Sequence, residues 1–207
     1  MDVKSGLCRL YDTALSGNAW KVRLCLAELG RPYERVTLDP VTGDLESPAF
    51  RKISRRGRVP VLVEEGRVPL VESGAILVHL ARGSFLLPDK EEVFGQTLSW
   101  LFWEQADLSR PLALPRFFRR RGLAEGKAKQ IDAFLEEGRA NLAFLDRWLS
   151  DRPYLTGESY TLADLACHAY VFLAPEGGQD LSSYHNVTRW LSRIMMRPAW
   201  MKAELPG

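Results

Sequence analysis

Residues 8–38 read CRLYDTALSGNAWKVRLCLAELGRPYERVTL, and their apolar periodicity changes twice. "CRLYD" reads as a short strand and "YERVTL" as another. Between them Val22, Cys25, Leu26 and Leu29 recur at the i, i+3, i+4, i+7 spacing of a helix over residues 18–29. Gly30 caps the end of that helix, and Pro32 follows just beyond it. A strand, a helix and a second strand make a βαβ unit.

Downstream, "SPAFRKIS" suits a short helix, "VPVLVEE" and "RVPLV" are two strands about a tight turn at "EEGR", and "ESGAILVHLAR" is helix-periodic again. The order βαβ-α-ββα predicts a four-stranded mixed sheet covered by helices, its closing hairpin antiparallel because the connection is short. A turn-rich stretch, "GSFLLPDK", separates this α/β domain, residues 1–83, from a segment without strands. Residues 84–90 are read as the connection and 91–207 as an all-helical domain. In it Phe94, Leu98, Leu101 and Phe102 mark one apolar helix face, and Ile131, Leu135, Leu142, Leu145 and Leu149 another. Thr161 and Asp164 stand in capping-box spacing, flanked by Tyr160 and Leu165 as a hydrophobic staple.

The 207 residues carry 28 basic and 26 acidic side chains, so no polyanionic partner is demanded and nucleic acid is not expected. Cys8, Cys25 and Cys167 are odd in number and set in apolar stretches, as reduced core thiols are. No basic leader precedes a long apolar run, and no segment approaches about eighteen uninterrupted apolar residues. The expectation is a cytoplasmic protein without a membrane span.

Three places in the α/β domain converge if its strands are neighbours: Ser16 before the first helix, Val59-Pro60 at the third strand, and Glu72-Ser73 opening the next helix. Ligands of open α/β sheets bind at strand ends and helix N-termini. Each place has a plain structural reading too. Ser16 and Ser73 are good helix caps, Glu72 suits a positive helix end, and Pro60 suits a sheet edge. The chemical reading is a peptide-like ligand paired along Val59, with Ser73 gripping a carboxylate and Glu72 an ammonium. There is no G-x-S-x-G; His79, His168 and His185 form no catalytic pattern, and no C-x-x-C or helical His pair suggests a metal.

"SGNAWKVRL", "RVPVL", "ESGAI" and "YTLADLA", in this order across nearly the whole chain, resemble the cytosolic glutathione S-transferases, in particular their bacterial-like serine type. The resemblance implies a thioredoxin-like N-terminal domain that binds glutathione as co-substrate and an all-helical domain contributing a pocket for a hydrophobic electrophile. It implies that Ser16, five residues before "KVR", donates a hydrogen bond to the glutathione thiolate. Val59 pairs through its backbone with the cysteinyl group, Pro60 is cis, Glu72 and Ser73 hold the γ-glutamyl end, and Arg58 contacts the tripeptide. Asn18 is an auxiliary donor, and Tyr11 stands near where tyrosine-type members keep theirs. Leu15 and Trp103 are candidates for the electrophile pocket, and a homodimer without metal is implied. "ISRRGRVP" departs from the usual Asn-Pro-x-Gly ahead of Val-Pro, which leaves the glycyl end of the site open. With no cysteine near Ser16, thiol–disulfide exchange is not the expected main activity. A glutathione-dependent isomerase or dehalogenase, and a non-enzymatic interaction module on the same fold, remain open alternatives.

Overall fold

The computed structural model describes residues 7–203. Its strands β1 (Cys8–Asp12), β2 (Tyr33–Thr37), β3 (Val61–Val63) and β4 (Leu70–Val71) form one sheet in the order β2-β1-β3-β4. β1 and β2 are parallel, so a crossover must join them, and helix α1 (Gly17–Glu28) is that crossover. β1 runs antiparallel to β3, with Leu10 opposite Leu62, and β3 antiparallel to β4, with Leu62 opposite Leu70. The β3–β4 turn is closed by Arg67 N–H donating to Glu64 O at 3.1 Å, with Gly66 at a φ of 72°. Helix α2 (Pro48–Ile53) starts with Pro48 behind a Ser47 cap, and α3 (Ser73–Ala81) follows β4 directly.

The core of this part sits on the sheet: Leu10, Leu62, Val22, Leu26, Ile76 and Leu77 are all buried. The helical period of α1 holds, but the helix is buried on nearly every side, Lys21 and Arg23 included. Arg23 is matched by the buried Asp12 at the end of β1, whose Oδ2 lies 3.4 Å from Arg23 Nε and 2.8 Å from Arg35 Nε. Burying a charge is costly unless it is paired, and Asp12 supplies the pairing.

The second part is all helix: α4 (Glu91–Trp103), α5 (Ser109–Arg120), α6 (Ala128–Trp148), α7 (Leu162–Leu173) and α8 (His185–Met195). A π-helical turn, Glu104–Leu108, joins α4 to α5. The expected face of α4 is rotated. Thr97, Trp100 and Leu101 are its buried residues, whereas Phe94 and Phe102 are exposed. Thr97 is accommodated inside because its hydroxyl donates to Val93 O at 2.7 Å. The α6 face is as expected at Ile131, Leu142 and Leu145. α7 is buried along almost its whole length and opens with the expected capping box: Thr161 Oγ1 accepts from Ala163 N–H and Asp164 Oδ2 from Thr161 N–H at 3.0 Å. Asp164 Oδ1 also accepts from Leu155 N–H and Trp190 Nε1–H, binding three segments together.

The chain divides into residues 7–82 with 199–203, and residues 83–198. This differs from the boundaries expected from composition in two places. The stretch read as a connection packs into the helical unit, with Leu86 and Leu87 buried and Leu86 O accepting from Leu162 N–H at 2.8 Å. Residues 199–203 belong to the α/β unit, where Met201 O accepts from the indole N–H of Trp20 at 3.1 Å. No helix among the described residues is long and apolar enough to cross a membrane.

Candidate functional site

The first turns of α1 and α3 meet. Ser16 is the N-cap of α1, its backbone extended at φ −75° and ψ 112°, and its Oγ accepts from Ala19 N–H at 3.1 Å. The structural reading of Ser16 is therefore realised, and it does not compete with the chemical one. A serine hydroxyl has two lone pairs and one proton, so accepting from Ala19 leaves the O–H available to donate. The cap also sets that hydroxyl beside backbone N–H groups that carry the partial positive charge of the helix end.

Asn18 lies in the same turn, and its Oδ1 accepts from the Ser73 hydroxyl at 3.2 Å. Ser73 is buried but is not the cap of α3: that position is held by Glu72, which makes no side-chain cap bond. Ser73 is instead the first helical residue, with its hydroxyl turned across to α1. Among the described residues Glu72 is the one non-glycine with a positive φ, 70°. Such a conformation costs roughly 1–3 kcal/mol and persists where the surrounding structure holds it. It leaves the exposed Glu72 carboxylate standing beside a helix start, close in sequence to the Ser73 hydroxyl.

The Val59-Pro60 bond is cis. Ladder pairing of β3 begins at Val61, so Val59 lies beyond both ladders. The segment leading to it is held by a residue that the sequence reading did not single out, Ser54. Its buried hydroxyl donates to Arg58 O at 2.8 Å and accepts from Arg58 N–H at 2.9 Å. Gly57 N–H closes the same turn onto Ser54 O at 2.9 Å. Gly57 has a φ of 60°, and a Cβ there would lie 2.8 Å from Leu45 O, so only glycine suits the position. One signal pointed to Ser54: it stands where the family pattern has Asn, another side chain that both donates and accepts. Arg51, Lys52, Arg55, Arg56 and Arg58 are exposed, and Arg51 pairs with Glu46.

Tyr11 lies on β1 with its ring centroid 6.0 Å from that of Phe50. Leu15 is half-buried in the loop before Ser16. Trp103, in the helical unit, packs edge-on to Trp100 at 5.1 Å and against Phe144 at 5.4 Å. His168 is buried between Phe172 and Trp190, and burial pushes its pKa down to about 3. His79 pairs with Glu64 at 2.7 Å. All three cysteines are free and buried; burial pushes the Cys25 thiol up to about 12 and raises that of Cys8. Thiols so protonated are poor nucleophiles.

A sheet of order β2-β1-β3-β4 with its serine-capped crossover and a cis proline before β3 is a thioredoxin-like fold, here followed by a helical unit. The patterns "Glutathione S-transferase, N-terminal domain" and "Glutathione S-transferase, C-terminal domain" match residues 10–84 and 102–198. The chain belongs to the glutathione S-transferase family. It is 33% identical over 196 residues to the disulfide-bond oxidoreductase YfcG of Escherichia coli K12, covering 91% of this chain and 90% of that protein. The solved structure of a glutathione S-transferase from Pseudomonas fluorescens superposes with a TM-score of 0.92 at 37% identity, covering 96% of this chain and 99% of that one. A glutathione transferase from Pseudomonas putida, solved with one glutathione disulfide bound per subunit, has a TM-score of 0.83 at 28% identity, covering 96% and 90%.

Proposed function

We propose that the protein is a glutathione transferase that stabilises the glutathione thiolate with the Ser16 hydroxyl and conjugates the sulfur to a hydrophobic electrophile. The observation that carries this reading is the double capacity of Ser16, held by Ala19 N–H at 3.1 Å with its own proton left to donate. A free thiol near pKa 8.5 is mostly protonated at neutral pH. Lowering it by about two units takes ~2.7 kcal/mol. A hydrogen bond to a charged group contributes roughly 1.5–3 kcal/mol and a helix N-terminus about 0.3–1, a combined range of about 1.8–4 kcal/mol that spans the requirement. Ser16 acts as a donor and not as a nucleophile: the thiol proton leaves to solvent, the sulfur bonds to the electrophilic carbon, and with an aryl chloride the C–Cl bond breaks and chloride departs.

In this reading the Val59 backbone pairs with the cysteinyl group beside cis Pro60, Glu72 meets the γ-glutamyl ammonium, and Ser73 meets its carboxylate. Asn18, held by Ser73, is a second donor near the sulfur. Arg58 serves the glycyl carboxylate, and Leu15, in the loop before Ser16, contributes to the electrophile pocket. The protein works as a cytoplasmic homodimer. The test is retention on immobilised glutathione, followed by the ultraviolet absorbance of the bound thiolate against pH and turnover of 1-chloro-2,4-dinitrobenzene. Failure to bind glutathione would overturn the reading in favour of an interaction module.

A second reading follows from the likeness to a disulfide-bond oxidoreductase. Since the protein's own thiols are buried, glutathione itself would be the reductant. Its thiolate attacks a disulfide sulfur, releasing one thiolate, and a second glutathione resolves the mixed disulfide to glutathione disulfide and the other thiolate. Turnover of a small disulfide exceeding that of the aryl chloride would favour this reading.

A further inference from the structure

A concave site lies wholly within the helical unit. A cleft of about 310 Å³ opens between the 150–153 loop after α6, which supplies Arg152 and Pro153, and the residues Asn186, Arg189 and Arg193 of α8, with Leu149 beside them. Three guanidinium groups thus line one hollow, and each is tethered. Arg152 Nε donates to Asp151 Oδ1 at 2.9 Å, and its guanidinium lies 4.1 Å from the Trp148 ring centroid. Arg193 Nη1 donates to Pro153 O at 2.7 Å, and its guanidinium lies 5.6 Å from the Tyr154 ring centroid. Arg189 donates to Asn186 Oδ1. A guanidinium has five N–H donors, so every tether leaves several over while reducing the side-chain freedom that a ligand would otherwise have to freeze.

Positive charge is in excess around the hollow, where Arg152, Arg189 and Arg193 stand against Asp151, itself in the lining, and Asp146 beside it. Asp151 is paired with Arg152. Asp146, the other carboxylate touching these residues, accepts from Asn186 N–H at 2.7 Å, Val187 N–H at 3.0 Å and the Asn186 amide. From His185 to Ala203 the sequence contains no Asp or Glu, so α8 offers nothing to neutralise Arg189 and Arg193. Guanidinium forks match the oxygens of phosphate and sulfate groups. A cleft of about 310 Å³ exceeds what a bare tetrahedral ion needs, a water's share of liquid being about 30 Å³. Leu149 and Pro153 give it an apolar wall.

We propose that this cleft binds an oxyanion ester, a phosphate or sulfate group carried on a small organic body, separately from glutathione. Titration calorimetry of the full-length protein with phenyl phosphate, phenyl sulfate and inorganic phosphate tests it and separates the two ester chemistries. At least one ester is expected to bind about tenfold or more tightly than inorganic phosphate, and more weakly as ionic strength rises. The exposed double variant Arg189→Ala/Arg193→Ala should weaken that ester about tenfold or more, with the melting temperature and retention on glutathione unchanged. Asp151→Asn should tighten it. Absence of binding by both esters overturns the proposal, and so does undiminished binding by the double variant. Equal binding of inorganic phosphate overturns it as well, since the cleft then takes an adventitious ion only.

Discussion

Replacing Ser16 separates its cap bond from the donor role proposed for the same hydroxyl. Ser16→Ala removes the acceptor of Ala19 N–H, a cap bond whose loss costs typically about 1 kcal/mol, or about 2–4 °C in melting temperature for a chain of this size. It also removes the proposed donor to the thiolate. At roughly 1.5–3 kcal/mol for a bond to a charged group and 1.36 kcal/mol per pKa unit, the thiol of bound glutathione should rise by about one to two units. Ser16→Asp restores a good cap acceptor but supplies a negative charge in place of a proton donor. Its melting temperature should return to near the wild-type value, while the bound thiol pKa stays at least as high as in Ser16→Ala. Thermal unfolding and thiolate absorbance against pH, measured on the same three proteins, give the two quantities independently. If Ser16→Ala loses the expected few degrees and the bound thiol pKa does not move, Ser16 is a helix cap and nothing more, and the donor must be sought at Asn18 or Tyr11.

Other expectations follow from single contacts. Ser54→Ala, which loses both bonds to the Arg58 backbone, should weaken glutathione binding about three- to tenfold by calorimetry while leaving the bound thiol pKa in place, and Ser54→Thr should recover part of the loss. An unchanged dissociation constant would show that the 54–58 turn does not position Val59. Gly57→Ala should cost about 2 kcal/mol or more in urea unfolding, because its φ of 60° and the nearby Leu45 carbonyl both oppose a Cβ; a loss under about 0.5 kcal/mol would contradict the geometry. His168, at about 3 in the folded protein against about 6.5 unfolded, binds fewer protons folded than unfolded between those values, so it makes stability fall as pH drops from about 6.5 towards 3, by up to about 5 kcal/mol. Asp164, which burial raises to about 6, acts in the opposite sense between about 4 and 6, and His168→Gln should therefore leave a protein whose stability no longer falls on acidification through that window. A persisting fall would assign the acid sensitivity elsewhere.

Much of the fold could be read locally. The βαβ unit followed from a change of period and a glycine–proline stop, and the capping box of α7 from two residues three apart. What escaped was set by distant partners. Lys21 and Arg23 look like the wet side of an amphipathic helix, and nothing near Arg23 in the chain says that Asp12 will meet it inside. On α4 two overlapping apolar stripes compete, and the choice of Trp100 over Phe94 and Phe102 depends on which neighbours fill the space. At the site, the cap role of Ser16 was legible because serine ahead of a helix-periodic run is a strong N-cap signal. Ser73 was misread as a cap because a glutamate at positive φ is not anticipated from composition, and that glutamate takes the cap position. Ser54 was missed because its importance lies in both ends of one hydroxyl closing on a backbone four residues away.

The indole of Trp20 and the carbonyl of Met201 are 181 positions apart, and the strand of chain between them leaves the α/β unit and comes back. The polypeptide thus crosses between its two bodies twice, near residues 82 and 198. A fragment ending at residue 82 would lack its own closing strap and the bond from the Trp20 indole to Met201 O, a loss of about 0.5–1.5 kcal/mol. Nicking one crossing leaves a covalent tie through the other. Exchange of the helical unit between relatives would be done as an insertion into a discontinuous host, with two junctions to match, and not as a simple end-to-end graft.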